Sequence, residues 1–337
     1  MGGGARGQAV TPRALLAADC GSGVGLGHLE RILALADELT PDLEVLVILP
    51  HGDERLRRRV TDRGHTTIGI AGDSAHRAGA MVTIDPPAGV IVLDGYVFDV
   101  ALQRQLRERA PLVAIDDLRL PADCDLGVNP SPAGERMRPS GVATFLGGAD
   151  FALLRKSFLE ARAVVGRRGR ALRTVLVSTG ATDLDGIGER VTTELLRRDA
   201  SVEVVRVVGP DTRATDRSDD PREQMLVAPP SLADALAGAT VYVGAAGTTA
   251  VQAACVGIPA VITAAVPNQA AQAAALADSG CAVVTDAAEL ATACVRLLDD
   301  PGRCAEMSAR GRALIDGRGA SRVAEAIRTL VTARATP

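Results

Sequence analysis

Aromatic side chains are almost missing. The 337-residue chain has no tryptophan, two tyrosines and four phenylalanines. Single-stranded nucleic acid is bound on aromatic stacking platforms, so nucleic acid is not expected as a partner. Lysine is scarcer still, because Lys156 is the only one. A phosphate-binding loop of the NTPase type needs Gly-Lys-Ser/Thr, and Lys156 follows no such loop, which excludes that class. Positive charge never runs far. The net charge is −4, and Arg57-Arg58-Arg59 and Arg167-Arg168 are short enough to read as solvated faces or linkers. The six cysteines, Cys20, Cys124, Cys255, Cys281, Cys294 and Cys304, lie far apart, with no CxxC pair and no metal-ligand spacing. They read as reduced, several of them as small core residues. No secretory signal is recognised ahead of the first apolar run. Val241–Val266 carries no charge, yet Gly247, Thr248, Thr249, Gln252, Gly257 and Pro259 break it into strand, turn and helix. No membrane insertion is expected, and the chain reads as a cytoplasmic protein.

What the chain has in quantity is leucine, valine, alanine and glycine, with apolar residues at 47%. Its length exceeds what one core usually spans, so two domains are expected. The runs "ALLAAD" (14–19), "EVLVILP" (44–50), "TTIGI" (66–70), "GVIVLDGY" (89–96) and "PLVAIDDL" (111–118) read as strands. Between the first two, His28–Leu39 places Leu29, Ile32, Leu33, Ala36 and Leu39 on one helical face. Glu160–Ala171 is charged and turn-rich and reads as an interdomain connection. The pattern then restarts with "TVLVSTGATD" (174–183), "VEVVRVVG" (202–209), "TVYVGAAGTT" (240–249) and "IPAVITAA" (258–265). The expectation is an α/β chain with a disordered stretch at 1–12, doubly wound domains at 13–160 and 172–320, and a C-terminal helix at 321–337. Ligands in such sheets bind at the carboxyl ends of the strands.

Three glycine loops fall at such strand ends. In "DCGSGVGLGHLER" (19–31) the dinucleotide fingerprint, glycine at i, i+2 and i+5, fails from every start. The i+5 residue is Leu26 from Gly21, His28 from Gly23 and Glu30 from Gly25. No cofactor of that kind is expected. What remains is a flexible loop that includes Gly25 and Gly27 and leads into a helix start. Such a loop is either a tight turn without a ligand or a site where free N–H groups favour an anion. "STGATD" (178–183), with Ser178, Thr179 and Gly180, and "GAAGTT" (244–249), with Gly247, Thr248 and Thr249, repeat the arrangement. Three such loops facing one cleft point to a diphosphate ligand.

His28 stands at the start of the first helix, where the dipole disfavours an imidazolium. It serves there either as a cap or phosphate ligand, or as a neutral ring able to accept a proton. His51, His65 and His76 sit in polar turns and read as surface residues. Asp94, Asp116 and Asp117 end strands and are expected to point toward the cleft. Asp123-Cys124-Asp125 matches a DxD metal pattern but reads as a solvated pair. No His/Asp/Glu cluster has metal spacing and no GxSxG elbow occurs, so neither a metal site nor a serine nucleophile is expected.

The segments "ADCGSGVGLGHLERILALADEL", "LDGY", "AIDDL", "FALLRKSF", "VLVSTGATD", "VYVGAAGTTAVQAACVGIPAVI" and "NQ" (268–269) occur in that order. Together they resemble the UDP-sugar hydrolase family of pseudaminic acid biosynthesis, itself related to the N-acetylglucosaminyltransferase that makes lipid II. The likeness covers roughly residues 14–300. It implies a GT-B fold, two Rossmann-like domains with the nucleotide mainly in the second, and no metal. It also implies His28 as general base on water attacking an anomeric carbon, and the strand-end Asp94 is the second catalytic candidate. Gly247, Thr248 and Thr249 would bind the diphosphate, and Asn268 and Gln269 the sugar or phosphate, with Gly25, Gly27, Tyr96 and Asp116 on the substrate side. Three positions depart from the family pattern. Gln252 replaces a ribose-binding glutamate, Ala17 an arginine, and Gly180-Ala181 a glycine run. The function expected is metal-independent, inverting cleavage of a nucleotide-diphosphate sugar with water as nucleophile. The alternatives are transfer of the sugar to a hydroxyl or amine of a small metabolite, and silent binding of the sugar nucleotide.

Overall fold

A wholly parallel sheet is covered on both faces, so its strands are continuous apolar runs rather than alternating ones. That is the form the runs above take in the computed structural model, which describes residues 11–21, 26–85, 87–165, 173–180, 183, 186–210, 212 and 219–335. The first sheet contains β1 (Arg13–Ala18), β2 (Glu44–Pro50), β3 (Thr66–Ile70), β4 (Val90–Asp94), β5 (Leu112–Ile115), β6 (Cys124–Asn129) and β7 (Val142–Gly147). Their order is β3-β2-β1-β4-β5-β6-β7. The second contains β8 (Arg173–Ser178), β9 (Val202–Val208), β10 (Glu223–Val227), β11 (Val241–Ala245), β12 (Ala260–Thr263) and β13 (Ala282–Val284), in the order β10-β9-β8-β11-β12-β13. Every pairing is parallel. The chain therefore forms two Rossmann-like α/β layers, as expected.

The direction of winding reverses between β1 and β4 in the first sheet and between β8 and β11 in the second. At such a reversal the two neighbouring crossover helices lie on opposite faces, and a crevice opens beyond the strand ends. The glycine loops follow β1, β8 and β11, three of the four strands that flank these crevices.

The Gly27–Leu39 helix buries Leu29, Ile32, Leu33, Leu35 and Leu39 against the first sheet. The last helix, Gly319–Ala335, returns to this same core and contributes Ala320, Val323, Ala324 and Ile327. No helix among the described residues is long and apolar enough to cross a membrane, and all six cysteines are buried and free.

Several elements differ from the sequence reading. β7, β13 and the Ser74–Gly79 helix were not anticipated. The proposed connection at 160–171 is helical in its first part, because Lys156–Val164 is one helix that buries Phe158 and Ala161. His65 is not on the surface: it is 7% exposed, with Nε2 2.7 Å from Asp37 Oδ1.

Candidate active site

Register brings the site together. Ala18 on β1 lies opposite Asp94 on β4, and the Asp19 N–H donates to the Asp94 carbonyl at 2.8 Å. The helix that follows β1 thus starts directly over the end of β4. Leu26 is its N-cap and no side chain caps it, so His28 is not held as a cap. Instead, His28 Nδ1 lies 2.8 Å from Asp94 Oδ1. Asp94 is fully buried. Arg31, one turn further along, donates from Nε to Asp94 Oδ2 at 2.8 Å and from Nη2 to Oδ1 at 2.6 Å. Its Nη1 donates to Asp117 Oδ2 at 2.6 Å. Tyr96 donates to the other Asp117 oxygen at 2.5 Å, and its ring stands at 85° to the His28 ring, with centroids 4.8 Å apart. His28 Nε2 has no partner among the described residues, and the ring lines the cavity.

The charges in this group settle each other. Burial opposes the charged form of Arg31, but Asp94 and Asp117 outweigh it and hold the guanidinium protonated. Burial pushes the Asp117 carboxyl up, and Arg31 with the Tyr96 hydroxyl brings it below the usual range. Tyr96 is pushed well up by burial and by Asp117, so its proton stays in place. Asp116 does not join the cluster. Its carboxylate accepts from the Leu118 and Leu120 N–H groups at 2.9 and 2.6 Å, and it does not line the cavity. The substrate role expected of Asp116 has no geometric support, and its neighbour Asp117 is the one that lines the cavity.

The opposite wall comes from the second sheet. The β11 backbone passes so close to β8 that a Cβ on Gly244 would lie 1.8 Å from the Ser178 carbonyl oxygen. The buried Tyr242 hydroxyl reaches that carbonyl at 2.8 Å and the Ala245 carbonyl at 2.9 Å. The loops after both strands are thereby fixed to one another. Gly247 is the N-cap of the Thr248–Val256 helix. Gln272 Nε2 donates to the Ala246 and Gly247 carbonyls at 2.6 and 3.0 Å, and the Ala250 N–H turns back to the Gly247 carbonyl at 3.1 Å. The N–H groups of Thr248 and Thr249, both of which line the cavity, are the first-turn donors that the helix itself does not use. Ser178 and Thr179 are buried, and the Thr179 hydroxyl donates to Asp183, which also accepts from the Gly188 N–H. Gly180 has φ +105°, a backbone region that favours glycine.

Between the walls lies a cavity of about 540 Å³, within the range of small-molecule sites. Gly27, His28, Tyr96, Ser178, Thr179, Gly180, Gly247, Thr248, Thr249, Gln252, Asn268 and Gln269 all line it. Gly25 lies outside the described residues. A Cβ on Gly27 would sit 3.3 Å from Thr248 Oγ1, so the two walls nearly touch there. Gln269 Oε1 accepts from the Ala265 N–H at 3.0 Å, and Asn268 Nδ2 reaches across to the Tyr96 hydroxyl at 3.4 Å. Gln252 is 8% exposed, and its Oε1 is buried without a hydrogen-bond partner.

Some lining residues were not anticipated. Arg59 ends an arginine run read as solvated, yet it pairs with Glu30 and donates to the Pro229 carbonyl at 3.2 Å. Arg155 donates to the Pro230 carbonyl at 3.0 Å. Arg59 bridges the cleft, and Arg155, whose neighbours Leu154 and Phe158 pack in the second core, reaches back to Asp37 at 3.9 Å. The one available signal for Arg31 was its position three residues after His28, which puts both on one helical face. Asp123 and Asp125 pair with Arg104 and Arg107, and no metal-holding cluster of His, Cys, Asp or Glu occurs among the described residues.

No family model matches the chain, and no curated protein matches it. Solved structures do. The forosaminyltransferase of spinosyn, SpnP, is 16% identical over 95% of this chain and 99% of its own, with a TM-score of 0.67. Acinetobacter baumannii MurG is 16% identical over 94% and 100%, with a TM-score of 0.64. The spinosyn rhamnosyltransferase SpnG, solved with thymidine diphosphate, is 17% identical over 92% and 98%, with a TM-score of 0.60. With its two facing Rossmann-like sheets and near-complete overlap with these glycosyltransferases, the chain has the GT-B fold.

Proposed function

We propose that the protein transfers a sugar from a nucleoside-diphosphate donor to a hydroxyl or amine of a small polar acceptor. The observation that carries this reading is the placement of the His28–Asp94 pair opposite the helix start at Thr248 across one cavity. His28 Nε2 takes the proton of the acceptor as the acceptor atom bonds to the anomeric carbon. The bond from that carbon to the diphosphate oxygen breaks, and its electron pair leaves with the diphosphate. N–H groups at the helix start face the charge that develops there, the preorganised form of electrostatic catalysis. Attack from the face opposite the leaving group inverts the anomeric centre. The first-sheet side of the cavity is polar, with Asp19, Arg31, Tyr96, Asp117 and Ser131 around His28. That lining suits a small hydrophilic acceptor better than a large apolar one.

Transfer is favoured over the hydrolysis expected from the sequence because the structures of the same fold reported above are glycosyltransferases. The polar wall also suits water, so hydrolysis is the second reading. Mass spectrometry of the protein incubated with UDP-, ADP- and TDP-sugars separates them. Nucleotide release only after a pool of small alcohols and amines is added supports transfer. Release from donor alone at the same rate establishes a hydrolase, and tight donor binding without any product establishes a silent binding protein.

The unpartnered Gln252 Oε1 is assigned to a ribose hydroxyl of the donor. Gln252→Ala is expected to weaken nucleotide binding roughly tenfold, the scale of one hydrogen bond to a buried group, without lowering the melting temperature. Calorimetric titration that finds unchanged affinity removes Gln252 from the donor site.

A further inference from the structure

His28 Nδ1 meets two groups that make opposite demands on it. It lies 2.8 Å from Asp94 Oδ1 and 2.8 Å from Arg31 Nη2. A protonated Nδ1 donates to Asp94 and meets Arg31 donor to donor. A bare Nδ1 accepts from Arg31 and faces Asp94 lone pair to lone pair. The second arrangement sets a lone pair against a full buried carboxylate charge, where the low dielectric makes such repulsion strong. The first sets one N–H dipole beside a guanidinium already aimed at Asp94. It therefore prevails, and the lone pair of the ring is on Nε2, which has no partner among the described residues.

The charges around the ring give Arg31 a second effect. Asp94 at the end of β4 and Asp117 after β5 bring two negative charges, and Arg31 brings one positive. The surplus is one negative charge, which an imidazolium cancels. Asp19 also lines the cavity, with one oxygen accepting from Ser74, and Asp116 is turned into its own loop. Glu30 on the same helix is paired with Arg59 and Arg63, and Arg155 lies toward Asp37. Tyr96 keeps its proton, and the lining residues across the cleft, Thr248 and Asn268, are neutral.

We infer that Arg31 is a positioning residue that fixes the proton of the resting His28 on Nδ1. By holding the surplus of Asp94 and Asp117 to a single charge, it also lets the ring release the proton gained in each turnover. The inference rests on the general-base reading above. Without Arg31, two carboxylates face the ring uncompensated and trap its second proton.

The test is the pH–rate profile of Arg31→Met, Arg31→Lys and Asp117→Asn, with ¹⁵N NMR of the histidines in the wild type. The acid limb is expected to move up by about one pH unit or more in Arg31→Met, the usual effect of a neighbouring charge, here a like charge removed from beside the imidazolium. It moves down in Asp117→Asn and returns toward the wild-type position in Arg31→Lys. The NMR signature of His28, assigned by its loss in His28→Ala, is that of an Nδ1–H ring. Limbs that stay in place while the rates fall uniformly overturn the inference, as does an Nε2–H ring in the wild type. If Arg31→Met fails to fold, the half-shielded Asp117→Asn decides alone. The tautomer needs no substrate, so a wild type inert toward every donor sinks the proposed function and leaves the NMR result standing. An active enzyme with unmoved limbs sinks only the role of Arg31.

Discussion

Replacing His28 by alanine is expected to lower turnover by about 10²-fold or more, the scale of a lost general base, while nucleotide affinity stays unchanged. The size of the loss follows from the lack of a substitute. Asp94 is fully buried beneath the ring. Both oxygens of Asp117 are engaged, one by Arg31 and one by Tyr96, and Asp19 accepts from Ser74. The fold loses one hydrogen bond to Asp94 with the imidazole, while both Asp94 oxygens keep Arg31, so a stability cost of about 1.5–3 kcal/mol accompanies the change. The loss of turnover is therefore read at saturating donor, at a temperature where the variant is folded. Turnover close to normal in this variant would show that another group takes the proton.

Asp94→Ala is expected to destabilise the protein by about 3–5 kcal/mol, the scale of breaking a buried ion pair from one side. Arg31 is 8% exposed and spends two of its donors on Asp94. Its remaining carboxylate, Asp117, receives only Nη1. Denaturant unfolding followed by circular dichroism reads the loss, and an unchanged midpoint would contradict this account of the cluster. Asp94→Asn separates stability from chemistry. The amide keeps the shape of the site but can offer an N–H to Nδ1, which moves the ring proton to Nε2. A loss of about 10²–10⁴ in turnover is expected from that exchange. A folded, fully active Asp94→Asn would detach Asp94 from the base.

The parallel sheets were legible because central strands such as β1, β4, β8 and β11 are unbroken apolar runs, and the loops after three of them carry glycine. β7 and β13 were not, for the same reason in reverse. β7 lies at a sheet edge with partly exposed residues, and β13 has three residues, so neither has a run to detect. Two of the single-residue differences come from distant partners. His65 is buried through Asp37 and Thr40, and Arg59 reaches Glu30 and Pro229, all of them far along the chain. Asp116 and Asp117 are neighbours with equal claims in the sequence. The choice between them is made by Arg31 and Tyr96 on one side and the Leu118–Leu120 turn on the other. The convergence of His28, Arg31, Asp94 and Tyr96 depends on β1 pairing with β4 across two intervening strands. No local pattern announces that pairing.

The return of Gly319–Ala335 to the first core bears on how the protein comes to exist. Ala320, Val323, Ala324 and Ile327 seal the same apolar layer as Leu29 and Leu33, although the whole second sheet is synthesised between them. The half that is made first lacks these four side chains of its core until the ribosome has passed residue 327. During elongation that open flank is an exposed apolar face, and the second sheet, whose segments are contiguous in the chain, is free to close before the first.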